Sequence, residues 1–390
     1  MKKVLFHSLT IPPDQVSTGK LVADIASKFK ENNIEVEILA STPQYRFDSK
    51  EFTDEGMKKI SKKIYTSFYE GVKITHITSS KRSFSRTKRV VQWFSYHLKS
   101  LIYLIKNRSF FDSIFIFSYP PTMNLIAIFT KKILKKNTVY SVWELYPEIA
   151  NKLNELNNTT LHKIFKWIDN YCLKSIDYVV VNSEQLKKYL VENRNIKEDK
   201  IKIIYHFSNE EEVPRCNTIS NNIMYAGNLG TPQNLESFID LFLKSTKDYN
   251  LTIYGSGSQY QKIYNLQNPK IKVYSYVSRE KLVNLTKEIP FALVSLSPEI
   301  TIEGFPGKTF DYLKMNKILI GYSNPNSSLA KFIEKYQLGI NISPNDTDID
   351  IKFAQLEDEK FLNQIYLNIE KMNNNFADVH NVVNQYINLI

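Results

Sequence analysis

The stretch Glu303-Gly304-Phe305-Pro306-Gly307-Lys308-Thr309-Phe310-Asp311-Tyr312-Leu313 sets two carboxylates eight positions apart around a Gly/Pro turn and one lysine. It follows an apolar run, Pro290 to Leu296, that reads as a buried strand, and it leads into an amphipathic segment. Strand, turn and helix in that order place backbone N–H groups and a cation at a helix mouth, which attracts phosphate. The flanking carboxylates accept hydrogen bonds from hydroxyls.

The same strand–helix alternation extends in both directions. In the first half, Lys3–Phe6, Glu35–Leu39, Val72–Ile77, Ser113–Phe117, Thr138–Val142 and Tyr178–Val181 read as strands. Helical patterns run between them over Lys20–Asn32, Lys88–Lys106, Asn124–Lys135, Leu161–Lys174 and Glu184–Glu192, with Ser183 as an N-cap. In the second half, Asn222–Ala226, Leu251–Tyr254, Ile271–Tyr274, Phe291–Leu296, Ile318–Gly321 and Gly339–Ile342 read as strands. Helices fall at 233–246, 257–265, 279–287, 306–315 and 327–335. Alternation of this kind predicts parallel sheets covered on both faces. The expectation is an α/β protein of two Rossmann-like, doubly wound domains facing across a cleft, where strand ends bind ligands. The boundaries are 1–205 for the first domain, 206–372 for the second, and 373–390 for a C-terminal helix crossing back to the first. The polar stretch Ser208–Asn222 reads as linker.

Composition narrows the class. The chain has 390 residues and a formal net charge of +11. Residues 1–200 balance to +13 and residues 201–390 to −2, so the first half holds all the excess. Gly71–Phe111 contains nine bases and no acid, interleaved with Trp93, Phe94, Tyr96, Tyr103 and Phe110. A solvated helix face and an anionic membrane surface are both open readings of that segment; no nucleic-acid motif accompanies it. No run approaches the roughly 18 apolar residues of a membrane-spanning helix. The start, Met1-Lys2-Lys3-Val4-Leu5-Phe6-His7, reads as a first strand rather than a leader. Cys172 and Cys216 make no framework, which points to a reduced compartment. None of the six histidines has metal spacing. Asp346-Thr347-Asp348-Ile349-Asp350 reads as a solvated turn and helix start rather than an ion site.

Four loops carry candidate chemistry. Leu9 to Lys20, including Pro12-Pro13-Asp14, Thr18 and Gly19, is a polar loop opening a helix, either a ligand site or a plain cap. Val142-Trp143-Glu144-Leu145-Tyr146-Pro147-Glu148 sets two carboxylates among aromatics at a strand end. It suits either a hydroxyl-bearing acceptor, with Glu144 orienting it, or a helix cap. Gly227-Asn228-Leu229-Gly230 and Gly255-Ser256-Gly257 end successive strands, allowing close backbone approach to a ligand or only tight turns. No Gly-x-Gly-x-x-Gly appears, which argues against a dinucleotide enzyme.

Taken together these loops resemble glycosyltransferase family 4, retaining enzymes of GT-B fold, especially the branch that builds O-antigen, capsule and related bacterial surface polysaccharides. The sharpest element is the family's Glu-x7-Glu pattern, ending here in Asp311. The resemblance implies that Glu303 binds donor-sugar hydroxyls and Asp311 the ribose. It implies that backbone around Phe305, Pro306 and Gly307, with Lys308, neutralises the departing diphosphate. Gly227, Asn228, Gly230 and Gly255 complete the donor side. Thr18, Gly19, Trp143 and Glu148 make the acceptor side, and Glu144 is catalytic with Glu303 and Lys308. No metal or other cofactor is expected, since the nucleotide sugar, taken as UDP-linked, is a substrate. The expected partners are that donor, a lipid-linked or glycan acceptor, and an anionic membrane surface through residues 73–108, with no nucleic acid. The expected location is cytoplasmic, on the inner face of the bacterial cell membrane. The chain departs from the family in Asp311 itself and in Thr231-Pro232-Gln233-Asn234, where many members carry Arg and Lys. A nucleotide-sugar 2-epimerase of the same fold and a silent GT-B partner subunit are the alternatives.

Overall fold

The computed structural model describes residues 2–390 apart from 15, 45–55, 81–82, 84, 154–155, 157, 209–211 and 217–219. The chain divides into two compact units. Met1–Asn151, Leu156–Ile204 and Val382–Ile390 form one, and Lys152–Glu155 with Tyr205–Asn381 form the other.

The first unit runs β1 (Lys3–His7), α1 (Ser17–Glu31), β2 (Glu35–Ser41), β3 (Lys58–Ser61), β4 (Ile64–Tyr69), β5 (Val72–Ile77), α2 (Arg86–Lys106), β6 (Ser113–Phe117), α3 (Met123–Lys132), β7 (Asn137–Val142), α4 (Glu148–Lys152), α5 (Thr159–Ser175), β8 (Tyr178–Val181), α6 (Glu184–Arg194) and β9 (Ile201–Ile203). Its nine described strands pair in the order β3-β4-β5-β2-β1-β6-β7-β8-β9. From β5 to β9 every pairing is parallel. The chain winds outward from β1 in both directions, so β1 and β6 flank the point where the winding reverses. The hairpin β3–β4 adds two antiparallel strands at one edge. Sequence patterning misses it because all four residues of β3 are exposed and leave no apolar alternation to read. The core is an aromatic seam in which Phe6 stacks on Phe115 at 5.0 Å and meets Phe29 of α1 edge-on at 5.1 Å. The C-terminal residues dock there too: Tyr386 lies against Phe115, and Asn137 donates to the Leu389 carbonyl at 2.7 Å.

The second unit continues with β10 (Asn222–Asn228), α7 (Leu235–Phe242), β11 (Asn250–Ser256), α8 (Tyr260–Tyr264), β12 (Ile271–Tyr274), α9 (Arg279–Thr286), β13 (Phe291–Ser295), α10 (Lys308–Lys314), β14 (Ile318–Tyr322), α11 (Ser328–Tyr336), β15 (Gly339–Ile342), α12 (Asp350–Gln355) and α13 (Glu359–Asn374); the last helix, α14 (Val379–Ile387), belongs to the first unit from Val382 on. Its strands are all parallel in the order β12-β11-β10-β13-β14-β15. That is the doubly wound 3-2-1-4-5-6 sequence, with its reversal between β10 and β13. Local chemistry sets the boundaries. The side chains of Ser183, Ser278 and Ser327 accept from backbone N–H groups three residues on and start α6, α9 and α11. The expected helix at 233–246 begins only at Leu235, because Thr231–Gln233 close a 3-10 turn and Asn234 is left-handed at φ 46°.

A buried ion cluster braces the first unit. Arg194, fully enclosed, donates to Glu148 through Nη2 at 2.7 Å and Nε at 3.0 Å, and lies 3.5 Å from Asp169. Burial outweighs that cation at Asp169, whose carboxyl is pushed up to about 7. Removing the guanidinium leaves Glu148 with only Tyr189 and Lys166 and strips buried Asp169 of its cation. Arg194→Ala is therefore expected to cost about 3–5 kcal/mol in denaturant unfolding; a loss under about 1 kcal/mol would show the cluster to be incidental.

Candidate functional site

In an open parallel sheet the ligand lies beyond the carboxyl ends of the strands where the winding reverses. In the second unit those ends carry Gly227–Gly230, the end of β10 and the turn leaving it, and the segment Leu296–Lys308 after β13. Tyr312 ties the two together: its hydroxyl accepts from Ala226 N at 2.7 Å and donates to Ala226 O at 3.1 Å. Tyr225 donates to Asn228 O at 2.6 Å, and Gln233 Oε1 accepts from Gly230 N and Asn228 Nδ2. The turn is thus held from inside, while Asn228 and Gly307 stand exposed.

Lys308 is the chemical centre of this arrangement. Its stem is half-exposed, but its ammonium is sealed from solvent and has no hydrogen-bond partner. It sits 3.9 Å from the centroid of the Tyr225 ring. A Cβ at Gly227 would lie 2.9 Å from that ammonium, and Gly227 has φ +134°. The positive φ calls for glycine there, while the ammonium, at the end of a flexible side chain, could shift. Burial, partly offset by Asp311, lowers the Lys308 ammonium to about 7. A buried cation with unused donors beside a glycine turn is built to receive an anion.

The two carboxylates are held differently. Glu303 is buried; its Oε2 accepts from Thr301 N at 2.9 Å and Ile302 N at 3.0 Å, and its Oε1 pairs with Lys152 Nζ at 2.8 Å. Each oxygen already has a protein partner, and Oε1 keeps one acceptor direction. Asp311, in the first turns of α10, is ion-paired with Arg279 at the start of α9, and Arg279 also reaches Ser208 Oγ at 3.2 Å. Lys152 and Arg279 are the residues sequence reasoning missed. No spacing signals them, because they come from helices remote in sequence from residues 303–311.

Other expected donor residues have structural explanations. A Cβ on Gly255 would lie 2.1 Å from Gly227 O, so Gly255 is glycine because β10 and β11 approach closely. The Phe305 ring packs among Phe310 and Phe332, leaving only its backbone for a ligand. Pro306 is half-exposed. His206 is buried behind Gly307, and burial lowers its imidazole to about 4.

In the first unit, Thr18 is exposed in the first turn of α1, which has no side-chain cap and no acid. Gly19 is a packing glycine: a Cβ there would meet Thr10 C and O at 2.9 Å. Glu144 stands exposed beyond β7. Two further acceptor-side candidates are tied into the unit's own structure. Trp143 is buried with its ring 5.0 Å from Phe117, and Glu148 belongs to the Arg194 cluster. For Glu148, burial would raise the carboxyl, but Arg194 and Lys166 bring it below its ordinary value. The Asp346–Asp350 carboxylates are used by backbone and hydroxyl donors of their own unit. Among the described residues no cluster of His, Cys, Asp or Glu could hold a metal.

A profile of Glycosyltransferase Family 4 matches residues 18–212, half of the chain. No curated protein matches by sequence. Among solved structures, sucrose-phosphate synthase from Thermosynechococcus elongatus superposes with a TM-score of 0.74 at 9% identity, covering 100% of this chain and 98% of its own. HepE from Anabaena in complex with UDP-glucose gives 0.66 at 12%, covering 100% and 99%. The apo lipopolysaccharide outer core galactosyltransferase WaaB gives 0.65 at 15%, covering 100% and 99%. The likeness establishes the GT-B fold.

The state of Lys308 has a measurable signature. Between about 7 and its ordinary 10.5 the unfolded chain holds a proton at this site that the folded chain lacks. Stability therefore rises with pH across that window, and the cost of burying the cation is fully present below it. Lys308→Met is expected to raise Tm at neutral pH by several degrees, a gap that narrows toward pH 10. A lower Tm for the variant would mark the lysine as a structural support.

Proposed function

The chain belongs to glycosyltransferase family 4, and from that premise we propose that it transfers a sugar, with retention, from a UDP-linked donor to a lipid-linked or glycan acceptor in bacterial surface-polysaccharide synthesis. The observation that carries the donor half of this reading is the Lys308 ammonium, buried and without a hydrogen-bond partner beside Gly227. Its nearest chemical match is a diphosphate. HepE, of the same fold, is bound to UDP-glucose in its structure, and WaaB is a lipopolysaccharide galactosyltransferase. Those neighbours support a UDP donor and a surface glycan as the product class.

In this reading the sugar–diphosphate bond breaks while the acceptor oxygen attacks the anomeric carbon from the same face. The acceptor proton passes to the departing diphosphate oxygen. Lys308 and the backbone of Phe305–Gly307 stabilise the charge that builds on that diphosphate. Glu303, positioned by Thr301, Ile302 and Lys152, offers its remaining acceptor direction to a donor hydroxyl. Asp311, oriented by Arg279, takes the ribose. Thr18, Gly19 and exposed Glu144 are the acceptor-side residues left for test. The hexosyl or N-acetylhexosaminyl character of the donor belongs to the same proposal.

The test is release of UDP from a panel of UDP-sugars with and without lipid-linked acceptor. Glu303→Gln keeps the shape and the backbone contacts; it is expected to lower kcat about 10²-fold or more with Tm little changed. Full activity in that variant would contradict the assignment. Interconversion of UDP-sugars with no acceptor present would point to the epimerase instead.

A further inference from the structure

On the first unit, α3 packs against both α2 and α5. Of the 23 large apolar side chains standing exposed among the described residues, 13 lie on these three helices or the C-cap of α3. On α2, Val90, Phe94, Leu98 and Ile102 recur every four residues along one outward face, and Phe94 is 71% exposed. The inward positions of that helix are taken by Tyr96, Ser100 and Leu104, which are buried. The outer stripe therefore has no partner within its own unit. On α5, Ile164, Trp167 and Tyr171 repeat the pattern, with Trp167 69% exposed and its ring stacked on Tyr171.

The charge around these stripes has one sign. The three helices hold ten Lys or Arg and one acid, Asp169, which is buried beside Arg194. Lys131 and Lys166 have acidic neighbours in Asp177 and Glu148. Lys88 and Lys106 stand exposed at the two ends of the α2 stripe. Lys132 lies 5.9 Å from the Tyr171 ring, joining α3 to the aromatic face of α5. Lys81 and Arg82, part of the expected basic segment 73–108, lie outside the described residues.

We propose that the outer faces of α2 and α5 lie together on an anionic lipid surface, apolar side chains in the acyl boundary and lysines among the headgroups. An aliphatic and aromatic stripe bordered by bases is the pattern of a helix that rests in an interface, and each base near anionic lipid adds attraction. A second copy is the poorer occupant, because an isologous contact sets this basic face against itself. No described helix is long and apolar enough to cross a membrane, so the protein would rest on the surface. The surface reaches beyond residues 73–108 to include α5, and it stands independently of the donor site, since binding to lipid needs no nucleotide.

Flotation of the full chain with vesicles of phosphatidylglycerol and phosphatidylcholine in equal parts, against phosphatidylcholine alone, tests this. Binding to the anionic vesicles only is expected, weakening with salt. Phe94→Ser with Leu98→Ser should lower the partition coefficient about tenfold, and Trp167→Ser should lower it separately, with an unchanged circular dichroism spectrum and cooperative melting as proof of folding. Absence of binding to anionic vesicles, equal binding by the folded variants, or a wild-type dimer that Phe94→Ser with Leu98→Ser dissociates would each overturn the proposal.

Discussion

One ammonium group organises the second unit. Lys308 points its amino group into a place where water does not reach and no hydrogen-bond partner meets it. The Tyr225 ring beneath supplies a modest cation–π attraction. Charging the group in that place costs the fold unless a ligand answers it. Everything nearby keeps it there: Tyr312 clamps the end of β10 to α10, Gly227 removes the Cβ that would collide with it, and Gln233 braces the turn from behind.

The sheet explains why this can happen at that point. Strand order reverses between β10 and β13, so the helices that follow them leave on opposite faces and open a crevice at their carboxyl ends. The glycine turn follows one of these strands and the Glu303–Lys308 segment the other. Sequence elements some 75 residues apart become neighbours because the winding brings their strands side by side. The carboxylates of that segment are not loose ligands. Two backbone N–H groups and Lys152 fix Glu303, and Arg279 fixes Asp311, so both acids are oriented by the protein itself.

Much of this was legible in the chain, and the limits have physical causes. Strands such as Phe291–Ser295 and Ile318–Tyr322 are buried throughout and declare themselves as continuous apolar runs. The hairpin Lys58–Tyr69 is half-solvated and declares nothing. Gly227 and Gly255 look alike in sequence, yet one makes room for a cation and the other for a neighbouring strand. Glu144 and Glu148 look like a pair, yet one faces solvent and the other is locked under Arg194. Patterning reports burial and periodicity; it does not report which remote helix sends Arg279 or Lys152 to meet a carboxylate.

The account rests on Lys308 being largely uncharged in the empty protein and charged when it holds a diphosphate. Calorimetry of UDP binding at pH 8, in buffers of differing ionisation enthalpy, counts the protons exchanged. Uptake of close to one proton per UDP, abolished in Lys308→Met, is the predicted result. UDP binding of undiminished strength in that variant, or binding by the wild type with no proton taken up, would contradict it.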